Sequence, residues 1–223
     1  MSSPAWLTRV SLSRSASACA LVKLLAPANP NQRAQNSHQL LWTLFGDTEE
    51  RERDFLWREE APGRFTILSA RPPLDSHNLF DPFEAKAFEP SVIVGDRLRF
   101  TLRVNATLRH RGDPRRRDLV MDAIHALPSG ERAQPRRAAE QDVSRRWLDA
   151  QGAANGFAMV DTACLGYGTF SIPRRGAAIQ LGVLELEGRL AVTDPAAFVS
   201  KLRSGFGRGR AFGFGLMLVH RTG

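Results

Sequence analysis

Between Gly95 and Arg109 the chain reads GDRLRFTLRVNATLR, in which Leu98, Phe100, Leu102 and Val104 alternate with Arg97, Arg99, Thr101 and Arg103. Successive side chains of a strand point to opposite faces, so the segment predicts a strand with one apolar and one basic face. This element demands a sheet covered on one side only. The rest of the chain must supply the cover, and water or a charged partner must meet the other side.

The elements around it fit that demand. After the polar turn RHRGDPRRRD, helical patterns occupy DLVMDAIHAL and RRAAEQDVSRRWLDA. Beyond the glycine-rich QGAANG, strands are expected near 157–164, at AIQLGVLELEG and, shorter, at RLAVT. A helix follows over DPAAFVSKLRSG, with Asp194 as cap and Pro195 at its first position. GFGRGRAFGFGLMLV then runs from a glycine loop into a last strand.

The first half is similar in outline. AWLTRVSLS (5–13) predicts a strand and LLAPANPNQR (24–33) a loop. NSHQLLWTLFG (36–46) predicts a helix capped by Asn36 or Ser37, with Leu40, Leu41, Leu44 and Phe45 on one face and Gly46 as its stop. DFLWREE and RFTILSA pair through Ala61-Pro62-Gly63, and AFEPSVIV ends in a further strand. The second half therefore follows the split β-α-β order of a ferredoxin-like domain, and the first approximates it. The expected fold class is α+β, with two tandem ferredoxin-like (RRM-like) domains. One covers 1–94 with the histidine-bearing helix. The other covers 95–223 with the Arg-rich strand and turn and the C-terminal glycine loop.

Charge narrows the function. The net charge is +8, and 28 of the 31 basic residues are Arg, the exceptions being Lys23, Lys86 and Lys201. Arg97, Arg99, Arg103, Arg109, Arg111, Arg115, Arg116 and Arg117 face one acid, Asp113, within 97–117, which is +7 in 21 residues. Such a concentration calls for a counter-anion, most simply a nucleic-acid backbone. Guanidinium forks suit phosphate, and Arg174 and Arg175 in SIPRRGA extend the set. Cys19 and Cys164 are too far apart in sequence for a C-x-x-C zinc pair, and a reducing cytoplasm fits. Lys23 interrupts the apolar run near the N-terminus, arguing against a signal peptide, and no apolar run reaches membrane-spanning length.

Two features remain open on residues alone. The glycines of GFGRGRAFGFG let a main chain approach a phosphate, with Gly207, Arg208, Gly209 and Arg210 as contacts, or serve tight packing. No Walker or dinucleotide pattern accompanies them. His38 is either a packing histidine or, beside a basic RNA surface, a general acid/base for a ribose 2′-OH or a leaving 5′-oxygen. No metal-binding carboxylate cluster is evident.

HQLLWTLFG (38–46), RERDFLWRE (51–59), GDRLRFTLRVNAT (95–107), VMDAIHALPSGERA (120–133), LEGRLAVTDPAAF (186–198) and GFGRGRAFGFGLMLV (205–219) together resemble the CasE (Cse3) family of CRISPR-repeat endoribonucleases, in the RAMP superfamily. The resemblance runs along essentially the whole chain. It implies metal-independent, cofactor-free cleavage of CRISPR precursor RNA at the 3′ base of the repeat stem-loop, by 2′-OH attack to a 2′,3′-cyclic phosphate. It further implies retention on the guide RNA hairpin as a subunit of a type I-E Cascade-like complex, next to its backbone subunit. The family's catalytic histidine falls on His38, and RNA contacts are expected from the arginines above, Asn105 and the glycine loop. The family's tyrosine one turn before that histidine is Gln35 here, the only tyrosine being Tyr167. Gln35 and Arg33 are candidate catalytic support, and an RNA-binding subunit with weak or no activity is the alternative.

Overall fold

The computed structural model describes residues 4–13, 30–46, 52–109, 116–125, 135–172 and 179–222. They form two compact units. One comprises the chain up to Pro90 together with Arg210–Phe214, the other Ser91–Gly209 together with the chain from Gly215.

The first unit runs β1 (Trp6–Ser11), α1 (Pro30–Trp42), β2 (Phe55–Ala61), β3 (Arg64–Ser69) and β4 (Ala85–Ala87). Its sheet order is β2-β3-β1-β4 and its pairs are antiparallel. β3 lies between β1 and β2, which makes α1 the crossover of a split β-α-β unit. The hairpin through Ala61-Pro62-Gly63 forms as expected. Two boundaries differ from expectation. Helix α1 starts at Pro30, inside the expected loop, so Asn36 and Ser37 are interior residues and not caps. A proline at the first helical position loses no hydrogen bond and already has a helical φ, so PNQRAQ extends the helix. The last strand lies at Ala85–Ala87, where Trp6–Thr8 offer a free edge, and not at the end of AFEPSVIV. Ile93 and Val94 are two-thirds exposed, because apolar character without a neighbouring strand makes no ladder.

The second unit carries β5 (Arg97–Val104), a small hairpin of β6 (Thr107–Arg109) and β7 (Arg116–Asp118), α2 (Leu119–His125), α3 (Pro135–Asn155), β8 (Phe157–Ile172), β9 (Ile179–Val192), α4 (Pro195–Ser204) and β10 (Met217–Arg221). Its four-stranded sheet has the order β10-β5-β9-β8, again ferredoxin-like. Leu98, Phe100, Leu102 and Val104 are all at most 2% exposed, while Arg97 and Arg99 face out. β5 is shorter than the expected 95–109 strand and ends at Val104. β9 is one strand where two were expected, because Gly188 continues the pairing with Thr162 and Phe100. β8 runs to Ile172, well past 164, and α3 runs through the glycine of QGAANG to Asn155. Helix α4 is capped as expected, with the Ala197 N–H donating to Asp194 Oδ1 at 3.1 Å.

Candidate active site

An aromatic wedge fixes α1 against β2. Phe45 stacks on Phe55 with ring centroids 4.5 Å apart, and Trp42 meets the same ring edge-on at 5.4 Å. His38 lies one turn before Trp42 and so on the same helix face. Its ring is 6.3 Å from Phe55 and 6.5 Å from Phe212, which a short 3₁₀ turn, Arg210–Phe212, brings in from the C-terminal glycine loop. Gly213 makes that approach possible. Its φ is +84°, and a Cβ there would sit 2.9 Å from the buried Trp57 ring.

The Trp42 indole Nε1–H donates to His38 Nε2 at 3.2 Å. Indole is only a donor, so Nε2 presents its lone pair, and the proton of the neutral imidazole sits on Nδ1. Nδ1 is buried without a hydrogen-bond partner. Burial first, and then the Arg53 guanidinium, push the imidazole down to about 4. His38 is thus neutral at physiological pH and available as a base. Unfolding releases it to the usual imidazole range, so its contribution favours the folded state above about 6.5 and is lost as the pH falls towards 4.

Arg53 is the residue that sequence reasoning missed, although it lies within RERDFLWRE. It is half-buried. Burial, and then the charge of Arg210, hold its guanidinium below the usual arginine range, though it stays cationic. The site therefore combines a neutral imidazole with two guanidiniums. That arrangement attracts an anion while leaving a base lone pair to act.

The other expected site residues lie as follows. Arg33 Nε donates to Glu59 Oε2 at 3.1 Å, which ties its guanidinium to β2. Gln35 stands one turn before His38, partly exposed. Arg97 and Arg99 are exposed on the open face of the second sheet. Arg99 lines a hollow of about 420 Å³ with Asp161, Glu187, Arg189 and His220. Arg103 donates to Glu185 and Arg189 to Asp161. The expectation that the basic face needs an outside anion is thus corrected in part, since β8 and β9 bring carboxylates to it. Asn105 is 1% exposed; its amide nitrogen donates to the Gly182 carbonyl at 2.7 Å, and its Oδ1 is buried without a partner.

Arg117 is exposed, with Asp122 3.4 Å away, while Arg109 and Arg116 belong to the β6–β7 hairpin. Arg208 is exposed, and its N–H donates to the Asn105 carbonyl. At Gly207, φ is +60° and a Cβ would meet Val104 at 2.5 Å, so this glycine is set by packing. Gly209 is half-buried. Arg111, Arg115, Arg174 and Arg175 lie outside the described residues. Among the described residues no group of three His, Cys, Asp or Glu side chains is placed to hold a metal ion, and no helix is long and apolar enough to cross a membrane.

A family model described as CRISPR-associated protein matches residues 5–221. The chain is 30% identical over 149 residues to the CRISPR-associated endoribonuclease Cse3 of Thermus thermophilus; the match spans 61% of this chain and 62% of that relative, less than two thirds of its length. Its structure is similar to a CRISPR endoribonuclease Cse3 bound to 19-nucleotide RNA, with a TM-score of 0.71 and 26% identity, covering 99% of this chain and 100% of the other. It shares its fold with a chain of a CRISPR RNA-guided surveillance complex, at a TM-score of 0.62 and 18% identity, covering 97% and 100%.

Proposed function

Because the chain belongs to the CRISPR-associated protein family matched over residues 5–221, we propose that it is the endoribonuclease that cuts CRISPR precursor RNA once, at the 3′ base of the repeat stem-loop, and then stays on the guide RNA hairpin as a surveillance-complex subunit. The observation that carries this reading is His38, held neutral on α1 with its Nε2 lone pair presented, with Arg53 near it and Arg210 near Arg53.

In this reading the RNA 2′-OH replaces the indole as donor to Nε2, and the imidazole takes its proton. The 2′-oxygen then forms a bond to phosphorus, the bond to the 5′-oxygen breaks, and the leaving oxygen takes a proton from water while the imidazolium returns its own to solvent. The products are a 2′,3′-cyclic phosphate and a 5′-hydroxyl. The reaction needs no oxidant, cofactor or metal. Exposed Arg97, Arg99, Arg117 and Arg208 supply contacts to the RNA backbone, which position the stem without reading its sequence. The alternative, a hairpin-binding subunit with weak or no activity, draws its support from Gln35 where the family has tyrosine.

The proposal predicts an acid limb set by His38. The rate at subsaturating RNA should stay level from neutral pH down to about 5 and fall as the pH nears 4. Trp42→Phe removes the donor that favours the unprotonated lone pair and admits water, so both effects raise the His38 pKa. The limb should move towards neutral, in step with the imidazole titration followed by NMR. A limb that stays put in W42F would detach it from His38.

Product retention tests the subunit role. Cutting at the base of a stem leaves the duplex intact, so the gripping surface keeps its contacts. Under excess repeat RNA, turnover should stop near one per protein, and an unrelated hairpin should compete poorly. Steady multiple turnover points instead to a free-standing ribonuclease, and equal competition points to a general RNA binder.

A further inference from the structure

We propose that Arg53 is a second catalytic residue of this site, one whose guanidinium holds the scissile phosphate against His38 and takes up the charge that develops on its non-bridging oxygens. This rests on the endoribonuclease reading for the name of the reaction, while the anion site itself stands on the geometry.

Three other half-buried arginines make the contrast. Arg33 pairs with Glu59, Arg71 with Asp54 and Arg103 with Glu185. Arg53 pairs with no described carboxylate, and its Nη1 is buried without a hydrogen-bond partner. Its marked charged neighbour is another cation, Arg210. A desolvated guanidinium beside a like charge is costly to keep, and arrangements of that kind concentrate at functional sites.

The surrounding contacts hold this cation near enough to His38 for its charge to act on the imidazole. Arg53 stands two residues before Phe55, and Arg210 two residues before Phe212; both rings flank the imidazole. The start of β2 is anchored by Arg71, which donates to Asp54 Oδ2 at 2.7 Å and to the Phe45 carbonyl at 2.6 Å. Arg53 is thus held by its neighbour's ion pair, with its own fork uncommitted. Two buried N–H donors, Arg53 Nη1 and His38 Nδ1, lack acceptors, and the charge of the first is felt by the ring of the second. A phosphate offers oxygens to both, and a guanidinium matches it bidentately. During transesterification the 2′-oxygen bonds to phosphorus before the 5′-oxygen has fully left. Negative charge then builds on the oxygens facing Arg53, where a preorganised donor acts most strongly.

The test uses the full chain and two probes, inorganic phosphate and a repeat hairpin with a 2′-deoxy nucleotide at the cut position. In the wild type, either probe should raise the His38 titration midpoint seen by NMR. In Arg53→Gln the free midpoint should start higher, because a like charge is gone, and the probe-induced rise should shrink or vanish. Single-turnover cleavage by R53Q should fall about 10²–10³-fold with hairpin affinity within a few fold, and Arg53→Lys should recover part of the rate. Urea unfolding checks that R53Q is folded; if it is not, R53K against wild type carries the same comparison with charge kept and fork lost.

Folded R53Q that cleaves at the wild-type rate and keeps the full probe-induced rise would overturn the proposal and leave the endoribonuclease reading intact. A wild type that cuts no hairpin yet shows the Arg53-dependent rise supports the anion site while removing that reading. Loss of hairpin binding in R53Q, with the rise retained, assigns Arg53 to the fold and overturns the proposal.

Discussion

His38→Ala should lower single-turnover cleavage by at least 10²–10⁴-fold, the usual contribution of general acid–base catalysis, and leave hairpin affinity within a few fold. The reasons lie in the position of the ring. His38 is on a helix face packed by Trp42, Phe45 and Phe55, so truncating it frees the Trp42 indole N–H but leaves the Trp42–Phe55 and Phe45–Phe55 ring contacts in place. Its charge is absent near neutral pH, so its loss removes no cation from the site. Filter binding with a 2′-deoxy hairpin and a cleavage time course separate the two effects. H38A cutting at the wild-type rate would remove the residue from the chemistry, and a parallel loss of affinity would make it a binding residue instead.

Gly213→Val should cost about 100-fold in the same assay, although residue 213 touches no RNA in this account. A Cβ at 213 meets the Trp57 ring at 2.9–3.1 Å, and φ = +84° is strained for a β-branched residue. Trp57 is buried in the sheet and cannot yield, so the loop must move. Phe212 and Arg210 move with it, and a displacement of about 1 Å at a catalytic constellation costs on the order of 10²-fold. Single-turnover rates and thermal melting, measured together, check this. A wild-type rate in folded G213V would show that the loop does not help to build the site.

What could be read from residues follows the range of the interactions involved. The alternation of β5 was legible because a period of two is a local property, and burial follows it from Leu98 to Val104. The hairpin at Gly63 and the cap at Asp194 were legible for the same reason. The start of α1 was not. Pro30 can end a loop or open a helix, and packing decides which. The single span of β9 was hidden because Gly188 resembles a break until Thr162 and Phe100 stand beside it. The charge of the second sheet was misjudged for a related reason. Glu185 is 82 residues from Arg103 in sequence, and only strand pairing brings it across. His38 was legible as a candidate from its place before the apolar block. Its setting was not, since Phe212 and Arg210 come from the far end of the chain, and Arg53 looked like one arginine among many.

The proposed function stands on metal-independent cleavage through the RNA 2′-OH. The most direct test is single-turnover cleavage of a repeat hairpin by the wild-type protein in excess EDTA, with the cut mapped and its ends identified by mass spectrometry. One cut is expected at the 3′ base of the stem, with ends bearing a 2′,3′-cyclic phosphate and a 5′-hydroxyl, and no cut when that nucleotide is 2′-deoxy. A 3′-hydroxyl with a 5′-phosphate, or cleavage that stops in EDTA and returns with a divalent cation, would contradict it.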